Sequence, residues 1–74
     1  MEQNFLTILG RRLQALRMES GETQKAMAES VGCTTSNYQK IEYGQVNIPA
    51  LTVIALAQHF HVSTDYLLGL RDER

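Results

Sequence analysis

The sequence has little of several residue types, and each shortage excludes a class of protein. It contains one cysteine, one proline and no tryptophan among 74 residues. A single cysteine cannot form an internal disulfide, so Cys33 is expected to be a small buried apolar residue in a reducing compartment. No second thiol or well-placed histidine accompanies it, which argues against a metal or reactive-thiol site. Long apolar runs are also missing, so we expect neither a membrane span nor a signal peptide.

Positive charge is scarce as well. The formal net charge is −1 at pH 7, whereas proteins that contact phosphates normally carry a surplus of Lys and Arg. Arg11, Arg12 and Arg17 cluster in the first part of the chain, and Lys25 and Lys40 follow in the middle. We therefore expect any affinity for DNA to be modest, to fall quickly with salt and to depend on dimerisation.

Length and composition indicate one small domain. Seventy-four residues are too few for two cores, and a hydrophobic content of 43% excludes intrinsic disorder. We expect a single domain over residues 1–74, with its core in residues 5–70 and a charged, frayed tail at 71–74. No cofactor, metal or small-molecule ligand is indicated.

Apolar spacing predicts an all-α fold of five helices, because no segment alternates with the period of a strand for long. Asn4, Thr34 and Ser63 are suitable N-caps, and Pro49 is suited to a first helical turn. The predicted helices are about Asn4–Glu19, Thr23–Val31, Thr34–Tyr43, Pro49–Phe60 and a short one from Ser63 to near Gly69.

The segment Thr23–Gln45 is the most informative part of the chain. Gly32 can take a left-handed backbone where a turn is needed, and Ala28 is small enough for two helices to cross closely. Apolar side chains fall on one side of the pair: Met27, Val31, Cys33, Tyr38 and Ile41. The other face of the second helix is polar: Thr35, Ser36, Asn37, Gln39 and Lys40. The pattern indicates a helix-turn-helix that presents its second helix to the DNA major groove, rather than two ordinary amphipathic helices.

The fourth helix has more apolar residues than one inward stripe requires. A helix that is apolar nearly all round is usually covered on more than one side. One interpretation is that a small core wraps it or that scattered exposed apolar residues are tolerated. We favour a homodimer interface, formed by Leu51, Ile54 and Ala55 with Leu67, Leu68 or Leu70.

The sequence from Leu9 to Gly69 resembles the Cro/repressor-type helix-turn-helix proteins of phages and bacteria, also called the XRE family. The matching strings are LGRRLQALR, ETQKAMAESVGCTTSNYQKIEYG and NIPALTVIALAQHFHVSTDYLLG, and the ending VSTDYLLG is especially specific. The resemblance implies a compact five-helix, lambda-repressor-like fold. It also implies a cytoplasmic, nucleoid-associated regulator, Cro-like and a repressor, that binds a near-palindromic operator in double-stranded DNA as a homodimer.

The resemblance also implies roles for individual residues. Gln24 matches a glutamine that grips a phosphate and supports the recognition helix, and Arg17 and Glu42 match a partly buried salt bridge. With the polar face described above, the predicted base contacts are Thr35, Ser36, Gln39 and Lys40. The predicted DNA-backbone contacts are Thr23, Gln24, Thr34, Asn37, Tyr43 and Asn47.

Three features depart from the family pattern. Tyr38 stands where Ile or Val is usual, and its hydroxyl needs a partner or water. Thr35 and Ser36 are short, so each can make a single hydrogen bond or touch a thymine methyl but cannot bind a base through two hydrogen bonds. The loop after Gly44, often basic, here begins with Gln45.

Two other classes of function stay open. A protein-interaction module on the same fold would bind another regulator instead of DNA, and the acidic balance favours it. A negative surface potential over the third helix would support that alternative. An enzyme is disfavoured, because His59 and His61 are two residues apart on a helix end and face different ways, and no nucleophile constellation or Gly-rich phosphate loop is present.

Overall fold

The chain begins in one long helix and continues through four shorter ones. The computed structural model describes residues 4–74, and the predicted capping role of the Asn4 side chain lies outside the described part. The helices are α1 (Asn4–Ser20), α2 (Gln24–Val31), α3 (Thr35–Glu42), α4 (Ala50–Phe60) and α5 (Thr64–Leu68). The described residues contain no strand, so the predicted all-α, five-helix fold is confirmed.

Hydroxyl side chains determine where three of the helices begin. The side-chain oxygens of Thr23, Thr34 and Ser63 each accept a hydrogen bond from a backbone N–H three residues on, at 3.0–3.1 Å. Each of these residues has an extended backbone, so it lies just outside its helix. Pro49 also precedes its helix, although we predicted it inside the first turn, and its carbonyl accepts from the N–H of Val53 at 3.1 Å.

The core lies where α1 packs against α3 and α5, and where α2 and α4 close over the remaining side. Tyr38 and Leu13 are completely buried within it. The buried apolar residues are Leu9, Leu13, Leu16, Met27, Ala28, Tyr38, Ile41, Val53, Leu56, Ala57 and Leu67. Cys33, predicted to be buried, is half-buried at the edge of this cluster.

Gly10 determines how closely α1 approaches α3, and no local sequence signal marks this role. A Cβ atom built on Gly10 would lie 2.2 Å from the carbonyl oxygen of Glu42 and 2.8 Å from that of Ile41. Both distances are far below van der Waals contact, so the backbones can pack this closely only because residue 10 has no side chain. The last turn of α3 is therefore positioned by a glycine of α1.

Residues 71–74, for which we predicted a frayed tail, make several contacts with the rest of the domain. The backbone N–H of Ser63 donates to the carbonyl of Arg74 at 2.8 Å, and the guanidinium of Arg12 donates to the carbonyls of Arg71 and Tyr66. Arg74 forms an ion pair with Glu19 at 2.7 Å. These contacts join the tail to α1, because Arg12 donates to the carbonyl of Arg71 and Arg74 donates to the carboxylate of Glu19.

Candidate nucleic-acid interface

The two faces of α3 are in different environments. Tyr38, Ile41 and Glu42 are buried against the rest of the domain. Ser36 and Lys40 are exposed, and Thr35 and Gln39 are half-buried at the edge of the same surface. These last four residues lie at i, i+1, i+4 and i+5, so they form one stripe along the helix. We call this set, Thr35, Ser36, Gln39 and Lys40, the polar stripe.

The turn between α2 and α3 places the polar stripe on the outside. Gly32 ends α2 with φ of 75°, a left-handed conformation that suits glycine. The N–H of Cys33 then donates to the carbonyl of Ala28 at 3.0 Å, which closes the turn. Ala28 is 1% exposed, and its small side chain lets α3 cross close over α2.

A buried ion pair fixes the end of α3 to α1. Arg17 donates from Nε to Glu42 Oε2 at 2.7 Å and from Nη2 to Glu42 Oε1 at 3.2 Å. The Glu42 side chain is 0% exposed and that of Arg17 is 14% exposed. The hydrogen bonds from Arg17 to Glu42 raise the pKa of the guanidinium. The salt bridge implied by the family resemblance is therefore present, in a two-pronged geometry.

Two glutamines extend this ion pair to the polar stripe. Gln24 Nε2 donates to Glu42 Oε1 at 3.1 Å, and Gln39 Nε2 donates to Gln24 Oε1 at 3.0 Å. Gln24 thus supports α3, as the resemblance implied. The Gln24–Gln39 hydrogen bond was missed, because a spacing of 15 residues across a turn produces no periodic signal.

The residues predicted to contact the DNA backbone carry hydrogen-bond donors. The oxygens of Thr23 and Thr34 accept backbone N–H groups, which leaves each hydroxyl proton able to donate elsewhere. Asn37, Tyr43 and Asn47 are all exposed. Every one of these groups can donate a hydrogen bond, which is what a phosphate oxygen requires.

Most of the positive charge is already paired. Arg12, Arg17, Arg71 and Arg74 each pair with a carboxylate, so the predicted basic cluster on α1 is largely neutralised. Among residues 4–74, the cations without such a partner are Arg11, Lys25 and Lys40. Lys25 is exposed on α2 and Lys40 is on the polar stripe. Lys25 and Lys40, the two cations of the helix-turn-helix, are thus not paired with a described carboxylate, although the whole chain is slightly acidic.

Tyr38 carries a buried hydroxyl that makes no hydrogen bond with a described residue. Burial, and then the neighbouring Glu42 carboxylate, raise the pKa of this hydroxyl above its usual value. We expect Tyr38→Phe to raise the free energy of unfolding by about 1 kcal/mol, because it removes a desolvated polar atom and keeps the ring. Urea unfolding would measure this. Tyr43→Phe, at an exposed position, should change the free energy by less than about 0.5 kcal/mol, and a clear loss in Tyr38→Phe would contradict the expectation.

An apolar surface lies away from the polar stripe. A groove of about 350 Å³ is lined by Ile48, Ala50, Val53, Ile54, Thr64 and Leu68. Leu51 is 78% exposed beside it, and Ile54, Ala55 and Leu70 are exposed as well. Leu67, which we predicted in a dimer interface, is completely buried in the core and has no surface to offer. We call Leu51, Ile54, Ala55, Leu68 and Leu70 the apolar patch.

The histidines do not form a catalytic arrangement. His59 is exposed and forms a hydrogen bond from Nε2 to Glu22 Oε1 at 2.8 Å. Hydrogen bonds from His59 and then from Ser20 lower the pKa of Glu22. His61 ends α4 with a left-handed backbone. Within residues 4–74, no three His, Cys, Asp or Glu side chains come together as a metal site.

No helix in the described part of the chain has both the length and the apolar character needed to cross a membrane. A family model described as a helix-turn-helix domain matches residues 8–68, which include α2, α3 and the polar stripe.

Two transcriptional regulators are similar to this chain in sequence. The chain is 38% identical over 65 residues to the HTH-type transcriptional regulator ImmR of Bacillus subtilis strain 168, covering 88% of this chain and 50% of ImmR. It is 36% identical over 61 residues to the SPbeta prophage-derived uncharacterized HTH-type transcriptional regulator YonR of the same strain, covering 82% of this chain and 56% of YonR. The chain therefore spans about half the length of these two proteins.

Among solved structures, the restriction-modification controller protein C.AhdI from Aeromonas hydrophila superposes with a TM-score of 0.74 at 29% identity. The match covers 84% of this chain and 94% of C.AhdI. The fold described above is thus shared with C.AhdI over most of the chain.

Proposed function

Since this chain belongs to the helix-turn-helix domain family, we propose that it is a sequence-specific DNA-binding transcriptional regulator, Cro-like and acting as a repressor in the bacterial cytoplasm. The observation that carries the proposal is the exposed polar stripe on a helix whose opposite face is fixed in the core. A helix that reads DNA needs donors and acceptors on one face and rigid support on the other.

In the proposed complex, α3 lies in the major groove and the polar stripe faces the base edges. Thr35 and Ser36 make single hydrogen bonds or contact a thymine methyl, and Lys40 donates to a base acceptor. The phosphates on either side are bound by hydrogen-bond donors, namely Thr23, Gln24, Thr34, Asn37, Tyr43 and Asn47. Few of these contacts are ionic, and the loss of affinity with salt grows with the number of ionic phosphate contacts. We therefore propose a modest affinity that falls with salt less steeply than the quick loss expected from the sequence.

The proposed active species is a homodimer that buries the apolar patch. Leu51, Ile54 and Leu70 are exposed large apolar side chains, and Ile54 also lines the groove, which is mostly apolar. A contact of this kind between identical chains produces two-fold symmetry. Two copies of α3 then meet successive major grooves about 34 Å apart on one side of the duplex, which matches a near-palindromic operator.

The experiment that tests the proposal is a selection of random duplex DNA on the purified protein at low salt. We expect a near-palindrome whose half-site centres are about 10 base pairs apart. Recovery of a single half-site would refute the dimer but would support sequence-specific DNA binding. Recovery of no sequence by the folded protein would refute DNA reading and favour the protein-interaction module, which the formal net charge of −1 already makes plausible.

Lys40→Ala is expected to relax base choice at one operator position, at a cost of about 1–3 kcal/mol on the selected sequence and much less on others. The matched control is Lys25→Ala, which removes the same charge from α2 outside the polar stripe. It should lower affinity for all sequences by a similar factor. Binding titrations on the operator and its single-base variants would measure both. Equal losses on every sequence for both variants would refute the base-reading role of Lys40.

Leu51→Glu is expected to weaken self-association at least about tenfold, because it places a charge at the most exposed large apolar residue of the patch. The side chain is so exposed in the single chain that folding should be unaffected. Met18→Glu is the control, since Met18 is an exposed apolar residue on α1, outside the patch. Sedimentation equilibrium would measure the dissociation constants. A wild-type protein that stays monomeric at high micromolar concentration would refute the dimer.

A further inference from the structure

We propose that Gln39 recognises adenine, and that the buried Arg17–Glu42 ion pair determines this preference by fixing the orientation of two side-chain amides. The inference rests on the proposed function, since it assigns a base to one residue of the polar stripe. Gln24, between the ion pair and Gln39, is the positioning residue.

Glu42 determines which group donates in the hydrogen bonds that join it to Gln24 and Gln39. A carboxylate paired with a guanidinium can only accept hydrogen bonds. Gln24 lies 3.1 Å from Glu42 Oε1, so the NH₂ group of Gln24 must face the carboxylate and its carbonyl oxygen must face away. That oxygen is 3.0 Å from the Gln39 amide, so Gln39 must in turn present its NH₂ group to Gln24.

This orientation leaves Gln39 with a defined set of unused groups. One N–H of Gln39 is bound to Gln24, while the second N–H and the carbonyl oxygen make no hydrogen bond with another described residue. Adenine offers an N6–H donor and an N7 acceptor in the major groove, which match one oxygen and one N–H. Guanine offers two acceptors, O6 and N7. Gln39 has only one N–H left, so it can satisfy adenine through two hydrogen bonds and guanine through one.

Rotating the Gln39 amide by 180° would not allow Gln39 to bind guanine through two hydrogen bonds. The rotation would bring the carbonyl oxygens of Gln39 and Gln24 together where a 3.0 Å hydrogen bond now lies. Gln24 cannot rotate in response, because its own oxygen would then face Glu42, whose side chain is 0% exposed and fixed by two hydrogen bonds from Arg17. The fixed orientation therefore extends from the buried ion pair to the surface of the helix.

The position of Gln39 on the polar stripe suits this role. It lies one helical turn after Thr35, whose side chain is too short to bind a base through two hydrogen bonds. Lys40 on the next position is a point charge without a fixed pair of donor and acceptor. Of the four residues of the stripe, Gln39 alone carries a donor and an acceptor in the planar spacing of an adenine edge.

The experiment measures base discrimination with operator variants that differ at one base pair. The contacted pair is the position whose preference disappears in Gln39→Ala. At that position we expect the wild-type protein to bind A·T about tenfold or more tightly than G·C. Gln24→Met, which keeps the side-chain length and breaks both hydrogen bonds, should reduce this ratio several-fold and leave the ratio at the Lys40 position unchanged. Gln14→Met, on the exposed face of α1, should change neither ratio.

Several results would overturn the inference. A preference for G·C at the Gln39 position would contradict it, and so would a uniform loss of affinity in Gln24→Met with the ratio intact, since Gln24 would then act on phosphate alone. Failure to select any DNA sequence would refute the proposed function, and the adenine assignment with it. We call the hydrogen bonds from Gln39 to Gln24 and from Gln24 to Glu42 the amide relay. It is tested separately by NMR of the free protein, where Gln24→Met should shift the Gln39 side-chain N–H₂ signals. Unchanged signals would refute the relay.

Discussion

Gly10→Ala is expected to lower the free energy of unfolding by at least about 3 kcal/mol, a loss that leaves a domain of this size close to unfolding. The added methyl would lie 2.2 Å from the carbonyl oxygen of Glu42 and 2.7 Å from its carbonyl carbon. These are backbone atoms at the end of α3, so no rotation of a side chain can relieve the overlap. The two helices must move apart, which opens the core around Leu13.

Gly10→Ala is expected to lower stability, whereas helix propensity alone would favour the alanine. Alanine inside a helix is favoured over glycine by about 1 kcal/mol, so Gly10→Ala would stabilise α1 if its surroundings were open. Ala15→Gly, at an exposed position of the same helix, should cost about that amount and no more. Urea unfolding followed by circular dichroism would measure both variants. A Gly10→Ala protein as stable as the wild type would show that α1 and α3 are not in such close contact.

Glu42→Ala is expected to cost about 3–5 kcal/mol, because it leaves a mostly buried guanidinium without its carboxylate. Arg17 would lose two hydrogen bonds and Gln24 one. The amide of Gln24 would then be free to turn, and the Gln39 amide with it. Thermal and urea unfolding would measure the loss of stability, and stability within about 1 kcal/mol of the wild type would contradict a buried, strongly coupled pair.

The double substitution Arg17→Met with Glu42→Leu is the matched control. Apolar residues of similar volume often replace a buried ion pair without loss of stability, since neither charge then has to be desolvated. We expect the double variant to recover most of what Glu42→Ala loses. Its amide relay would nevertheless be broken, because the leucine side chain that replaces the carboxylate offers no acceptor to Gln24. Stability and base discrimination should therefore separate in this variant.

The order and limits of the helices could be predicted because their signals are local. Thr23, Thr34 and Ser63 each bind an N–H three residues away, so a short sequence window contains both partners. The three matching strings likewise predicted the helix-turn-helix family, which is confirmed. The predicted ends were off by a residue at several places, since a cap lies outside the helix it begins.

Most features that sequence reasoning missed depend on partners far along the chain. Arg12 holds the tail through residues 54–60 positions away, and no local pattern marks such a contact. Gly10 approaches a carbonyl of another helix, which a glycine in a helical pattern does not reveal. Leu67 was assigned to the surface because α5 has only five residues, too few for periodicity to separate the buried leucine from its neighbours.

The division of α3 into a buried and an exposed face has a practical consequence for re-engineering its target. A combinatorial library that randomises Thr35, Ser36 and Lys40 should yield mostly folded variants, since none of these side chains holds the domain together. Position 39 is different, because the carbonyl oxygen of Gln24 accepts a hydrogen bond from the Gln39 amide. Codons 24 and 39 should therefore be varied jointly, so that each new pair of side chains is compatible with the carboxylate beneath.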